Sequence, residues 1–161
     1  MQDAPLKSLR KYLAWALESA DAHVNFDSAV ADFPAKLRGA RAPGIAHTAW
    51  QLLEHMRICQ WDILEFSRSP KHVSPPFETG YWPPADAPPS RSAWDESVGK
   101  FRSELRAMQR MVNNSKTDLF ARIPWGTGQT VLREALLLAD HNAYHIGQLV
   151  QLRKALGAWP G

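Results

Sequence analysis

Residues 130–157 read TVLREALLLADHNAYHIGQLVQLRKALG, and this stretch decides the fold. Thr130 suits an N-cap because its hydroxyl can accept from the free amides of a first turn. Gly157 suits a C-cap because it reaches positive φ without a Cβ clash. Between them apolar residues recur every three or four positions, which predicts one long helix. The stripe Leu138, His141, His145, Leu149, Leu152 places two histidines in line with the apolar seam. Four residues advance a helix by about 400° and about 6 Å, so the two rings project from one face a turn apart. A helix offers two imidazoles to one metal ion by this spacing. A buried ring nitrogen left unpaired costs on the order of 1–3 kcal/mol. A metal would satisfy both rings, and so would hydrogen bonds between core histidines.

Working outward, three further stretches carry helical periodicity. The first spans about 6–30, with Leu6, Leu9, Leu13 and Leu17 on one stripe and Pro34 beyond its end. The second spans about 47–68, where Ala49, Leu52, Met56, Cys59, Ile63 and Phe66 alternate steps of three and four as a bundle seam does. The third opens with Ser92 and Asp95 at capping-box spacing and continues through Trp94, Val98, Phe101, Leu105, Met108 and Val112. Between the second and third, residues 70–89 hold seven of the 12 prolines and cannot continue either helix. A loop of this length in a bundle is often functional or disordered, and Phe77, Tyr81 and Trp82 point to one that packs down. With no repeat and no convincing strand, the expected architecture is all-α. It is a four-helix bundle with a long Pro/Trp-rich loop between its second and third helices, one domain over residues 1–161.

Composition narrows the function classes. The chain of 161 residues is 45% hydrophobic and 22% charged, the balance of an ordinary soluble domain with enough core to fold without disulfides or an obligatory metal. Its single cysteine, Cys59, excludes an intramolecular disulfide. The N-terminal Met1-Gln-Asp-Ala-Pro lacks the basic start and apolar stretch of a signal peptide, and no run is long enough for a membrane span, so the cytoplasm is expected. The 19 Lys and Arg are interleaved with 16 Asp and Glu. Groups such as Lys36/Arg38/Arg41 and Arg102/Arg106/Arg110 read as solvated faces, so no nucleic-acid partner is expected.

A third ligand has to come from another element. His55, between Leu52 and Cys59, flanks the buried seam of the second helix. His47 lies eight residues earlier, roughly 80° around and about 12 Å along the axis, and reads as a cap-region or pocket residue. His23 and His72 have no partner pattern and are expected to face solvent. Gln148 shares the histidine face and could hold substrate or water. Asp62, seven residues past His55, lies about 10 Å along the axis, too far to be a ligand of the same ion. It could orient a substrate or pair with Arg153. Asp140 and Glu54 neighbour histidines in sequence but point elsewhere. Cys59 is expected as a small core residue, and Trp50, Trp61, Trp82 and Trp94 as packing, with Tyr81 and Trp82 able to roof a pocket.

Residues 50–64, WQLLEHMRICQWDIL, and 130–157 together resemble the DinB-like family, also called YfiT-like, of four-helix-bundle metalloproteins. The likeness extends over nearly the whole chain. It implies that one histidine of the second helix and the HxxxH pair of the last, here His55, His141 and His145, bind one divalent metal. Zinc or nickel suits imidazole best, and iron or manganese is admissible. Three neutral imidazoles would leave the ion an open position, as in a catalytic site. The family's best-understood members use low-molecular-weight thiols in transfer or isomerisation, so the resemblance implies a thiol transferase acting on a small-molecule substrate. Apart from the resemblance, helix position makes Gln148 and Asp62 the candidate supporting residues, and exposed Trp and apolar flanks suggest a homodimer. A metal-dependent hydrolase and a non-catalytic, stress-related metal-binding bundle are the alternatives.

Overall fold

The computed structural model describes residues 4–18 and 21–160. They form five α-helices: α1 (Ala4–Glu18), α2 (Phe26–Val30), α3 (Ala49–Arg68), α4 (Ala93–Asn113) and α5 (Val131–Ala155). A 3-10 turn covers Ala35–Leu37, and no strand occurs among the described residues beyond an isolated bridge between Arg122 and Thr130. The expectation of an all-helical chain holds. Helix α3 packs against both α4 and α5, and α1 packs against the same two helices.

Local chemistry sets the helix ends. Thr48 caps α3 in a full capping box: its hydroxyl accepts from the Gln51 amide, and the Gln51 side chain accepts from the Thr48 amide. Thr130 caps α5 by accepting from the Arg133 amide, and Gly157 takes φ 67° just past the helix. The capping box expected at Ser92 and Asp95 is absent. Ser92 is itself in the helical region and makes no side-chain cap among the described residues, while the Ser90 hydroxyl accepts from the Ala93 amide. The helix expected over 6–30 is also not continuous, its residues 19–20 lying outside the described residues. Asn25 is extended and caps α2 by accepting from the Ser28 amide, a local bond that competes with an unbroken helix.

The buried side chains fall into two apolar clusters. One gathers Phe26, Trp50, Met56, Trp94, Phe101 and Leu149, with the Phe26 and Phe101 rings stacked 3.8 Å apart. The other gathers Leu13, Leu17, Leu64, Met108, Val112 and Leu138. Along α5, Leu138 belongs to the second cluster and Leu149 to the first, with His141 and His145 between them. Along α3, Met56 and Leu64 bracket Gln60 in the same way. A polar layer therefore separates two apolar ones, at the height where α3 faces α5.

The α3 seam departs from its expected path. Ala49, Leu52 and Met56 are buried, but further on the buried face runs through Gln60, Leu64 and Ser67, leaving Cys59, Ile63 and Phe66 half-buried. A seven-residue repeat drifts by about 20° per heptad on a straight helix, so a seam drawn with that repeat slides off the core. Residues 69–92 contain no helix or strand and lie against α3. Asp86 anchors this segment, its carbonyl accepting from the Thr48 hydroxyl at 2.6 Å and its carboxylate from Gln51 and Arg41. Tyr81 and Trp82 pack down as expected, whereas Phe77 is 91% exposed and does not.

Candidate metal centre

His55 projects from the middle of α3, and His141 and His145 from successive turns of α5. The Nε2 atom of His55 lies 3.1 Å from Nε2 of His145 and 3.1 Å from Nε2 of His141. Among the described residues these three make the one group whose ligand atoms converge closely enough to hold an ion. His55 and His145 are buried and His141 half-buried. Tetrahedral ligands at about 2.0–2.1 Å from a zinc ion stand about 3.3 Å apart, so the observed separations fit a single small cation.

The far side of each ring shows what the near side can do. His55 Nδ1 is 2.9 Å from the Tyr81 carbonyl, and His145 Nδ1 is 2.7 Å from Gln148 Oε1. Both oxygens only accept, so both rings carry their proton on Nδ1 and present a bare Nε2 lone pair to the centre. Two lone pairs 3.1 Å apart cannot bond each other, and a cation between them removes the conflict. Burial is the largest cause pulling the His55 and His141 pKa values down to about 4, and it lowers that of His145 too. All three rings are therefore neutral at pH 7, the state in which imidazole binds metal.

Aromatic rings close one side of the centre. Trp82 stacks on His55 at 3.7 Å with planes 4° apart, and His47 stacks on Trp82 at 3.8 Å. His47 is thus the pocket residue its position suggested. Beyond lies an open-sided cavity of about 560 Å³, lined by His47, Leu52, Tyr144, Gly147, Gln148 and Gln151 among others. Cys59 is half-buried, with Sγ 3.7 Å from His55 Nδ1, and burial pushes its thiol up to about 12, so it stays protonated at neutral pH.

The supporting residues are placed differently from expectation. Gln148 does share the histidine face, and its side-chain oxygen is engaged on His145. Asp62 does not pair with Arg153, which instead donates to the Ala158 and Ala29 carbonyls. Asp62 takes the Tyr81 hydroxyl at 2.6 Å on one oxygen and lies 2.6 Å from His72 Nε2 on the other. His72 therefore does not face solvent: its side chain is 6% exposed and sits edge-on to Trp61. Asp140 is exposed, and Glu54 turns away to Arg57 and Ser97. The Tyr81 carbonyl and the buried amides of Gln60 and Asn142 escaped the sequence reading. A backbone oxygen in a proline-rich loop leaves no side-chain signal, and the amides are recognisable only as polar residues at core positions.

Among the described residues no helix is long and apolar enough to cross a membrane. A family model described as the DinB superfamily matches residues 20–149 of the chain. No curated protein and no solved structure matches it.

Proposed function

Because the chain belongs to the DinB superfamily, we propose that it is a metal-dependent thiol transferase, built as a four-helix bundle, in which His55, His141 and His145 hold one divalent cation. The observation that carries the metal reading is the convergence of three Nε2 atoms, two of them stripped of protons by the acceptors behind them. Zinc or nickel suits three imidazoles best. Such an ion would supply a Lewis-acid position that acidifies the small molecule facing it, a thiol or a water.

The chain's own groups do the rest. The Tyr81 carbonyl and Gln148 hold two rings in the binding tautomer, and Trp82 covers the His55 face. The adjoining cavity has the volume of a small-molecule site. In the metal-free chain burial keeps the Cys59 thiol protonated, so the thiol role is assigned to an exogenous ligand.

The test is a cobalt-substituted protein titrated with low-molecular-weight thiols. A sulfur-to-cobalt charge-transfer band in the near ultraviolet is expected. If small anions perturb the cobalt spectrum while thiols do not, the transferase reading fails. If the wild-type chain takes up no cobalt, the metal reading fails with it.

A further inference from the structure

Two segments that the metal reading leaves unused face each other across a second cavity. One is the 3-10 turn with the residues after it, 35–40, and the other is 87–91, at the end of the proline-rich loop. The first is held by its own turn hydrogen bonds and by the Trp50 amide, which donates to the Arg38 carbonyl at 2.8 Å. The second is held through Asp86, whose carbonyl takes the Thr48 hydroxyl. The two segments meet at Gly39. A Cβ built there would stand 2.5 Å from the Ala87 Cβ, so only glycine lets the walls approach this closely. Between them is an open-sided cavity of about 490 Å³, lined by Lys36, Arg38 and Arg91 together with Ala40, Ala87 and Pro88.

Three cations share this cavity, and none of them has a carboxylate partner among the described residues. Asp86, beside Ala87, is turned to Arg41 and Gln51, so Arg41 is the paired member of the Lys36/Arg38/Arg41 group. The Arg38 guanidinium is in place before any ligand arrives. Its Nε donates to the Phe33 carbonyl at 3.3 Å, and its Cζ lies over the Trp94 ring, 4.9 Å from the centroid. Both Nη atoms are left without a protein acceptor among the described residues. A guanidinium fixed in this way is a planar fork that matches two oxygens of one phosphate. We propose that the cavity binds a small phosphate monoester, with Arg38 as the bidentate anchor and Lys36 and Arg91 as the charges that balance the dianion. Like charges gathered without a counter-ion repel one another, and an anion removes that cost. The volume lies in the range of small-molecule sites, and Ala40, Ala87 and Pro88 give the organic part an apolar wall. The site shares no residue with the histidine centre or its adjoining cavity, so it stands whether or not the centre holds a metal.

The full-length chain, as purified and again after chelation, is titrated with phenyl phosphate and with inorganic phosphate by NMR. Phenyl phosphate is expected to shift the amides of 35–40 and 87–91 and the Arg38 Nε–H in both samples, and to bind more tightly than inorganic phosphate. Arg38→Ala is expected to weaken binding about tenfold or more. Arg38→Lys keeps the charge but loses the fork, and is expected to recover only part of that loss. Arg91→Gln, at an exposed position, is expected to cost about threefold, and it serves as the test if the Arg38 variants do not fold. Shifts spread over the whole basic surface, or binding that these variants leave unchanged, would overturn the proposal. Shifts confined to the histidine centre and lost on chelation would put the phosphate on the ion and overturn it too. Inorganic phosphate binding as tightly as phenyl phosphate would overturn the monoester, and full recovery in Arg38→Lys would overturn the bidentate anchor.

Discussion

Two polar clusters sit on α3 either side of Cys59, and they differ in how they are satisfied. At Asp62 each carboxylate oxygen faces one protein partner, the Tyr81 hydroxyl and His72 Nε2, both at 2.6 Å. At His55 the groups that meet, His55 Nε2 and His145 Nε2, are both acceptors. The first cluster is complete with protein atoms alone and pins the loop; the second would be completed by a cation. The same residue types, histidine above all, thus serve opposite ends. What separates them is whether the opposing atom is a proton donor or another lone pair.

The largest expected effect breaks the second cluster. His145→Ala should lower divalent-metal affinity by more than the roughly 10–100-fold that loss of an outer partner costs, with the helical circular dichroism unchanged. Full metal occupancy in a variant lacking all three histidines would contradict the assignment. Breaking the first cluster should instead cost stability. Asp62→Ala leaves the Tyr81 hydroxyl and His72 without their acceptor, a loss on the order of 2–4 kcal/mol, read as a drop of about 5–15 °C in melting temperature. The ion should remain bound. If Asp62→Ala sheds metal as completely as His145→Ala, the two clusters are one site.

The contrast was only partly visible in the sequence. Helix α5 was legible because Thr130, Gly157 and an unbroken apolar period agree on its extent, and the four-residue spacing of His141 and His145 fixes their shared face. His55 was legible as a polar residue beside a seam. The break after α1 was not, because the stripe Leu6, Leu9, Leu13, Leu17 reads on smoothly while Asn25 works as a cap through a local bond. His72 and Asp62 meet only because the loop folds back along α3, and no period within a proline-rich segment encodes that return.

A smaller effect follows from pH. In the metal-free protein the His55 and His141 pKa values lie near 4, against an ordinary value of 6.5 in the unfolded chain. The unfolded state therefore binds protons first as pH falls. Stability from this source should be constant above about pH 6.5 and decline toward pH 4, by roughly 1–3 kcal/mol after allowance for solvent screening. Chemical denaturation across that range, with and without the three histidines, checks it. A flat profile that the histidine variants share would show that the rings are not held neutral by burial. Smallest of all, Phe77→Ser should shift stability by less than about 0.5 kcal/mol, since the ring stands in solvent. A loss comparable to that of Asp62→Ala would mean the loop tip is anchored as firmly as its base.

X-ray absorption spectroscopy at the metal edge of the zinc-loaded protein bears most directly on the three-histidine centre. The expected first shell is three imidazole nitrogens at about 2.0–2.1 Å with a light-atom exogenous ligand. Imidazole scattering that disappears in the triple-histidine variant would complete that result. A sulfur shell at about 2.3 Å, which would bring Cys59 into the coordination sphere, or a shell of oxygens alone, would contradict it.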